Sequence, residues 1–360
     1  MGNNNKLKIV IPLLGVTRGG GVRVISELAN GLVNRGHEVV LVTPPVDSFP
    51  FPLDHRVRLV SRTKKLGEGN ILGRFKDFFF TYKIAKEVGN IVLSNYYTTS
   101  FIGWMLQVFN KKKHVYFIQG YEAEFFDKRQ SFANKIKTSL AKLSYKIEPD
   151  LRITISQFIK DKIGKEDIVI INDGIDPEMF RPSADRSKGN LKKVIGTIAL
   201  TELRKGFYDF IKAIEIISKK RADFEVLLFT SRQDTSFDLK FPYTIKYPSN
   251  DTEVVACMQN CDIFISASHL EGFGLPGLEA MACGAALITT NSGGITQYAT
   301  HEENALIVDV GDSEAIAAAI ERLLDQPAFL DRISAKGLET SAGFTWEIMC
   351  ENFERELTKL

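Results

Sequence analysis

EGFGLPGLEAMACG, residues 271–284, decides how the chain is read. It follows CDIFISAS (261–268), an apolar run without alternation, which is how a strand buried on both faces of a parallel sheet looks. The glycines then make a turn at that strand's carboxyl end. Pro276 suits the first helical position, where its missing N–H is not needed, and a short helix over 278–282 is stopped by Cys283-Gly284. Two carboxylates mark this strand–turn–helix: Glu271 on the turn and Glu279 in the helix. The free N–H groups of the turn and helix start favour an anion such as a phosphate. Glu279 is placed like the acid that holds a ribose in dinucleotide sites. The spacing alone is also compatible with an ordinary preference for acids near a helix start and a second, unrelated acid.

Short β-branched runs alternate with amphipathic stretches along the rest of the chain. KIVIPLL (8–14) reads as a strand and 22–36 as a helix ended by Gly36. HEVVLVTPP, RVRLVS, IVLSN, HVYFIQG, LRITIS and DIVIIND continue the strand series, with helices between them, one of them near 74–88. This is a doubly wound α/β pattern. INDGIDPEMFRPSADRSKGN (171–190) breaks the rhythm with Gly, Pro and charges and reads as a domain boundary. A second series follows: KVIGTIAL, FEVLLFTS, YTIKYPS, CDIFISAS, AALITTN and ALIVDV as strands, with helices near 206–219, 251–260, 276–283 and 312–326 and a helical tail. The expectation is two Rossmann-like domains facing across a cleft, with ligands beyond the carboxyl ends of the strands.

The 360 residues are enough for two domains, and the composition, 44% apolar and 25% charged, is that of a globular protein. The net charge of +2 conceals an asymmetry. Lys and Arg number 27 against 18 acids in residues 1–180, and 19 against 26 in 181–360, which suggests different partners for the halves. The acidic second half makes a poor clamp for nucleic acid. Cys257, Cys261, Cys283 and Cys350 lack CxxC spacing and read as reduced thiols of a cytoplasmic protein. Pro12 interrupts the apolar run near the start, so no secretory signal is expected. Residues 89–110 carry no charge, but SNYYTTS in their middle favours strand–loop–helix over a membrane span.

NKIKTSLAKLSYK (134–146) concentrates the basic surplus. Lys135, Lys142 and Lys146 can share one face of a helix, and Ile136, Leu140, Leu143 and Ile147 another. The plain reading is a solvated helix packed on the sheet; the sharper one is docking on an anionic membrane surface.

Taken together in order and spacing, several pieces resemble glycosyltransferase family 4, retaining sugar transferases of the GT-B fold, over nearly the whole chain. They are Glu271 and Glu279 with seven residues between them, NCDIFISAS before them, NSGGITQYATHEENALIV after them, INDGIDPEMFRP between the halves, and GFTWE (343–347) at the start of the last helix. The resemblance implies an acceptor-binding domain over 1–180, a nucleotide-sugar-binding domain over 181–342, and a helix over 343–360 packing back on the first. It implies that Glu279 binds the donor's ribose, and that Glu271, with the backbone of Phe273, Gly274 and Leu275, lies against the donor sugar and phosphate. GVTRGGG (15–21), containing Gly20 and Gly21, matches a phosphate-proximal loop. Lys205, followed by Gly206, matches the family's lysine for the donor diphosphate. The family's arginine falls on Thr197, and Arg204 is the substitute at hand. Gln119, in FIQGYE, stands where many members have a histidine; an amide cannot shuttle protons. Gln119, Tyr121 and Glu122 are candidates for the acceptor side.

The expected activity is transfer, with retention, of a hexosyl or deoxyhexosyl group from a nucleotide sugar to a glycan or lipid-linked acceptor in cell-surface polysaccharide or glycoconjugate synthesis. No cofactor is expected: there is no Asp-x-Asp, and the five histidines are scattered. A peripheral place on the inner face of the membrane accompanies the cytoplasmic expectation. Other readings are a sugar-nucleotide epimerase of the same fold and a non-catalytic nucleotide-sugar binder. A Rossmann dehydrogenase lacks support, because no G-x-G-x-x-G follows a strand.

Overall fold

The computed structural model describes residues 6–62, 71–126, 131–184, 192–232 and 236–360. Two compact units divide the chain, one of residues 1–173 with 346–360 and one of 174–345. The breaks fall at Asp173 and Thr345, a few residues from the boundaries expected at 180 and 342. Residues 185–190 of the expected boundary segment lie outside the described residues.

The first unit runs β1 (Lys8–Pro12), α1 (Gly20–Asn34), β2 (Glu38–Thr43), β3 (Arg58–Ser61), α2 (Ile71–Glu87), β4 (Ile91–Ser94), α3 (Tyr97–Asn110), β5 (Lys113–Ile118), α4 (Phe132–Ser144), β6 (Leu151–Thr154), α5 (Gln157–Ile163) and β7 (Ile168–Ile170). Its seven strands are parallel in the order β3-β2-β1-β4-β5-β6-β7. The central strands bury every residue from Ile9 to Pro12 and all of β4, which is why their sequences show no alternation. Residues 89–110 form β4 and α3 as expected, and no helix among the described residues is long and apolar enough to cross a membrane.

The second unit runs β8 (Lys193–Ile198), α6 (Phe207–Ser218), β9 (Phe224–Phe229), β10 (Thr244–Lys246), α7 (Asp251–Gln259), β11 (Ile263–Ser266), α8 (Leu275–Ala282), β12 (Ala286–Thr290), β13 (Ala305–Val308), α9 (Ser313–Asp325) and α10 (Pro327–Ser341). The parallel order is β10-β9-β8-β11-β12-β13. Each sheet therefore reverses its winding once, between β1 and β4 in the first and between β8 and β11 in the second. In open α/β sheets the ligand crevice lies at such a switch point, beyond the strands' carboxyl ends.

The last helix, α11 (Trp346–Leu357), belongs to the first unit. It lies so close on α1 that a Cβ at Gly31 would sit 2.2 Å from the Cys350 sulfur. Phe353 meets the Phe117 ring edge-on at 4.9 Å between centroids. Glu354 receives His37 Nε2 at 3.0 Å and Arg35 Nε at 3.2 Å. Burial of Met349, Cys350, Phe353 and Leu357 stabilises the unit by roughly 6–12 kcal/mol at 1.5–3 kcal/mol each, comparable with the whole stability of a domain. A chain cut before Trp346 should lose the cooperative urea unfolding of the first unit; retention of that transition would show α11 to be dispensable.

Candidate functional site

The switch point of the second sheet brings together two loops far apart in sequence. After β8 the chain makes a single 3-10 turn, Leu203–Lys205, and enters α6 through Gly206. After β11 it makes the turn that leads to α8. The Lys205 ammonium donates to Glu271 Oε1 at 2.7 Å, and the Ser268 hydroxyl donates to the same oxygen at 2.7 Å. Both charged side chains are largely covered, at 21% and 13% exposure, so the pair is less screened than a surface ion pair. The backbone joins the loops as well, the His269 N–H donating to the Arg204 carbonyl at 2.7 Å. This approach requires a glycine at 206: φ there is +64°, and a Cβ would stand 1.7 Å from the Ala267 carbonyl oxygen.

On its other side the Glu271 turn is held by the loop after β12. Glu271 donates its N–H to the Ser292 carbonyl, and its own carbonyl accepts from the Gly294 N–H. Gly294 has no room for a side chain, since a Cβ would meet the Gly272 carbonyl oxygen at 1.7 Å. The Tyr298 hydroxyl donates to the Gly274 carbonyl at 2.6 Å, pinning the residue that starts α8. Burial first, and then the nearby Glu271 and Glu279 charges, push this phenol well above its usual range, so it remains a donor. Ser292 Oγ is buried without a hydrogen-bond partner among the described residues.

Gly274 adopts φ +91° and begins α8, with Pro276 in the first turn as the sequence indicates. Phe273 is buried against Tyr298 and Phe344, and Leu275 opens the helix. Glu279 lies on the buried side of α8 at 7% exposure. Arg204 is exposed on the 3-10 turn. Thr197, at the position of the family arginine, points its hydroxyl into the sheet and bonds to the Ile265 carbonyl at 2.8 Å.

The first unit gathers a separate group at its own carboxyl edge. Gly20 and Gly21 form the first turn of α1, behind an extended Gly19. A Cβ on Gly21 would sit 2.9 Å from Gln119 Oε1, so this glycine loop and Gln119 are neighbours. Tyr121 stacks on Tyr145 at 5.3 Å. Glu122 has a different place from its expected one on an accessible acceptor surface. It is 3% exposed, and its carboxyl accepts from the Tyr97 N–H at 2.8 Å, where α3 begins. Burial holds it well above the usual carboxylate range. A buried acid whose carboxyl accepts the N–H at a helix start is a structural cap, so Glu122 is removed from the acceptor candidates.

Ser268, His269, Asp209 and Tyr298 were not read from the sequence as site residues. His269 Nε2 lies 2.6 Å from Asp209 Oδ2, in the first turn of α6, so this pair adds a side-chain link between the loops carrying Lys205 and Glu271. Closeness to Glu271 in SHLEGFG was the available signal for Ser268 and His269. Nothing in the sequence joins them to Asp209.

In a doubly wound unit the crevice at the switch point is where ligands bind, and here it carries the Lys205–Glu271 pair. The description "Glycosyl transferases group 1" matches residues 183–340, and "Glycosyltransferase Family 4" matches residues 18–179. The chain belongs to the group 1 / family 4 glycosyltransferases. Among relatives, it is similar to a glycogen synthase of Mycobacterium tuberculosis, 26% identical over 215 residues, 56% of this chain and 52% of that protein. It is also similar to an uncharacterized glycosyltransferase of Methanocaldococcus jannaschii, 23% identical over 87% of both chains. The chain spans about half the length of the first curated relatives it matches. Among solved structures, sucrose-phosphate synthase from Thermosynechococcus elongatus superposes with a TM-score of 0.82 at 18% identity, covering 97% of this chain and 98% of that one. Anabaena HepE, solved in complex with UDP, gives 0.77 at 17% identity, covering 98% and 100%. These likenesses establish a GT-B type fold.

Proposed function

We propose that the protein is a glycosyltransferase that moves a sugar from a nucleotide-sugar donor, held by the second unit, to a glycan or lipid-linked acceptor taken by the first. The observation that carries this is the Lys205–Glu271–Ser268 cluster at the β8/β11 switch point, beside the α8 start and Glu279. The relatives support the donor class: HepE has been solved with UDP and with UDP-glucose, and another relative is a capsular polysaccharide biosynthesis glycosyltransferase of Staphylococcus aureus.

In this reading the anomeric configuration is retained. A double-displacement route needs a carboxylate nucleophile beside the anomeric carbon. Glu122 is buried with its carboxyl engaged by the Tyr97 N–H and is unsuited to that, which favours front-face attack assisted by the departing diphosphate. Lys205 supplies charge to the leaving group, Glu271 orients Lys205 and lies against the donor sugar, and Phe273, Gly274 and Leu275 present backbone to the phosphate. Glu279 holds the ribose. Arg204 lies on the same turn as Lys205 and is the candidate second cation. Gly20, Gly21, Gln119 and Tyr121 border the acceptor side. The work belongs to cell-surface polysaccharide or glycoconjugate synthesis, carried out in the cytoplasm at the inner face of the membrane.

The test is to incubate the protein with a panel of nucleotide sugars and measure free nucleoside diphosphate with and without acceptor. Acceptor-dependent release is expected. Equal release without any acceptor would replace this reading with an epimerase or hydrolase of the same fold, and tight donor binding without release would leave a binding protein. Activity should also survive excess EDTA, since the sequence has no Asp-x-Asp to hold a divalent ion. Complete loss restored by a divalent ion would overturn metal independence.

A further inference from the structure

The helix over α4 is inverted relative to an ordinary surface helix. Its inward face is made of small, mostly polar residues, Thr138, Ala141 and Ser144. That face is fixed by a hydrogen bond, 3.0 Å long, between Ser144 Oγ and the hydroxyl of the fully buried Tyr116. Phe132, Ile136, Leu140 and Leu143, spaced at four, four and three residues along one stripe, face outward, Phe132 at 78% exposure. The plain reading of a solvated helix packed on the sheet is therefore corrected for Ile136, Leu140 and Leu143, which face away from it. A globular helix ordinarily buries such a stripe.

The same feature recurs on the two helices before it. α2 exposes Phe75 and Phe79, four residues apart, and α3 exposes Trp104 and Val108 at the same spacing, with Phe109 beside them. These helices belong together. The connections β3–α2–β4, β4–α3–β5 and β5–α4–β6 all advance in one direction along the sheet, so right-handed crossovers put α2, α3 and α4 in one layer. The Tyr82 hydroxyl donates to Asn110 Oδ1, tying α2 to α3, and α3 packs on α4. α1 and α11 occupy the other layer. Eleven of the 17 large apolar side chains exposed among the described residues fall between residues 75 and 143. An outward apolar face of this extent marks an interaction surface.

Its charge selects the partner. Over residues 71–126 and 131–146, lysines and arginines outnumber acids by 11 to 4, and one of those acids is the buried Glu122. Lys135 and Lys142 flank the apolar stripe of α4, Lys83 and Lys86 lie near the end of α2, and Lys111 follows α3. Aromatic and aliphatic side chains ringed by lysines match the boundary of an anionic bilayer, where rings enter the headgroup layer and ammonium groups stay with the lipid phosphates.

We infer that the α2–α3–α4 face is a monotopic membrane-binding surface, seated on anionic lipid by inserted aromatic side chains as well as by charge. α4 begins at the carboxyl edge of the sheet, the edge that carries Gln119 and Tyr121, so seating this face brings that edge to the bilayer. That placement rests on the proposed function and suits an acceptor carried on lipid.

Trp104 reports directly, since the other tryptophan, Trp346, is buried. Adding vesicles of phosphatidylcholine with phosphatidylglycerol should shift its emission to the blue and carry the protein into the pellet, whereas pure phosphatidylcholine should do neither. Replacing Phe132, Ile136 and Leu140 by Ser should lower partitioning at least about tenfold, through apolar area lost from the headgroup layer. Replacing Lys135, Lys142 and Lys146 by Glu should lower it by roughly 100-fold, at about 1 kcal/mol per lysine. An unchanged thermal melt of each variant excludes misfolding. Absence of the shift and of sedimentation with anionic vesicles overturns the inference, as does concentration-dependent self-association through this face that excludes vesicles. Sedimentation indifferent to the serine variant would overturn insertion. A protein that transfers sugar to a water-soluble acceptor, freeing nucleoside diphosphate, yet ignores vesicles sinks this inference alone; one that binds vesicles but turns nothing over sinks the proposed function alone.

Discussion

Lys205→Ala is expected to reduce turnover about 100- to 1,000-fold while weakening donor binding far less. Negative charge accumulates on the diphosphate as the glycosidic bond breaks, so a fixed cation gains more in the transition state than in the ground state. Losing one such preorganised contact costs on the order of 3 kcal/mol. The structure adds a reason why the cation is fixed: Glu271 holds the ammonium at 2.7 Å and is itself held by Ser268. Glu271→Gln should therefore lower turnover partly through Lys205, so that the double variant loses less than the product of the two single losses. Steady-state kinetics with the matched donor and acceptor decide it. Near-normal turnover of Lys205→Ala would remove the diphosphate role. Arg204→Ala in the same series tests the second cation, with a comparable loss expected if it serves in place of the arginine missing at Thr197.

Glu279→Ala should weaken nucleotide affinity about 10- to 150-fold, since a hydrogen bond between a charged group and a ribose hydroxyl is worth roughly 1.5–3 kcal/mol. Turnover at saturating donor should change little. Glu279 is 7% exposed on α8, so the variant also removes a buried acid. A thermal melt separates loss of fold from loss of ligand. Calorimetry with the nucleoside diphosphate gives the affinity, and an unchanged value would place Glu279 outside the site.

Element order was legible in the sequence because the central strands are buried on both faces and so read as unbroken apolar runs. The strand–turn–helix around Gly274 was legible for a local reason: Pro276 and the flanking glycines restrict the backbone within a few residues. Contacts set by tertiary structure were not. Lys205 and Glu271 lie 66 residues apart, and only the order of β8 beside β11 brings them together. Residues 134–146 show the limit of periodicity most clearly. Spacing identifies which side chains share a face, but the direction of that face depends on what lies beneath, here the Tyr116 hydroxyl, which takes Ser144 inward and leaves Leu143 outward. Glu122 was misread for a similar reason, since nothing nearby in sequence foretells that Tyr97 would need its carboxyl.

The position of α11 orders events during synthesis. The first unit begins with β1 but is completed by a helix encoded after the entire second unit, residues 174–345. At about 5–20 residues per second, the strip of α1 that α11 covers waits roughly 10–35 s while those 172 residues are made. The second unit, by contrast, is a single continuous stretch. A chain released early therefore carries an unfinished N-terminal unit, with an apolar strip around Gly31 open to the chaperones and proteases that act on exposed cores. Only a chain translated through α11 can hide that strip, so the first unit closes later than the second.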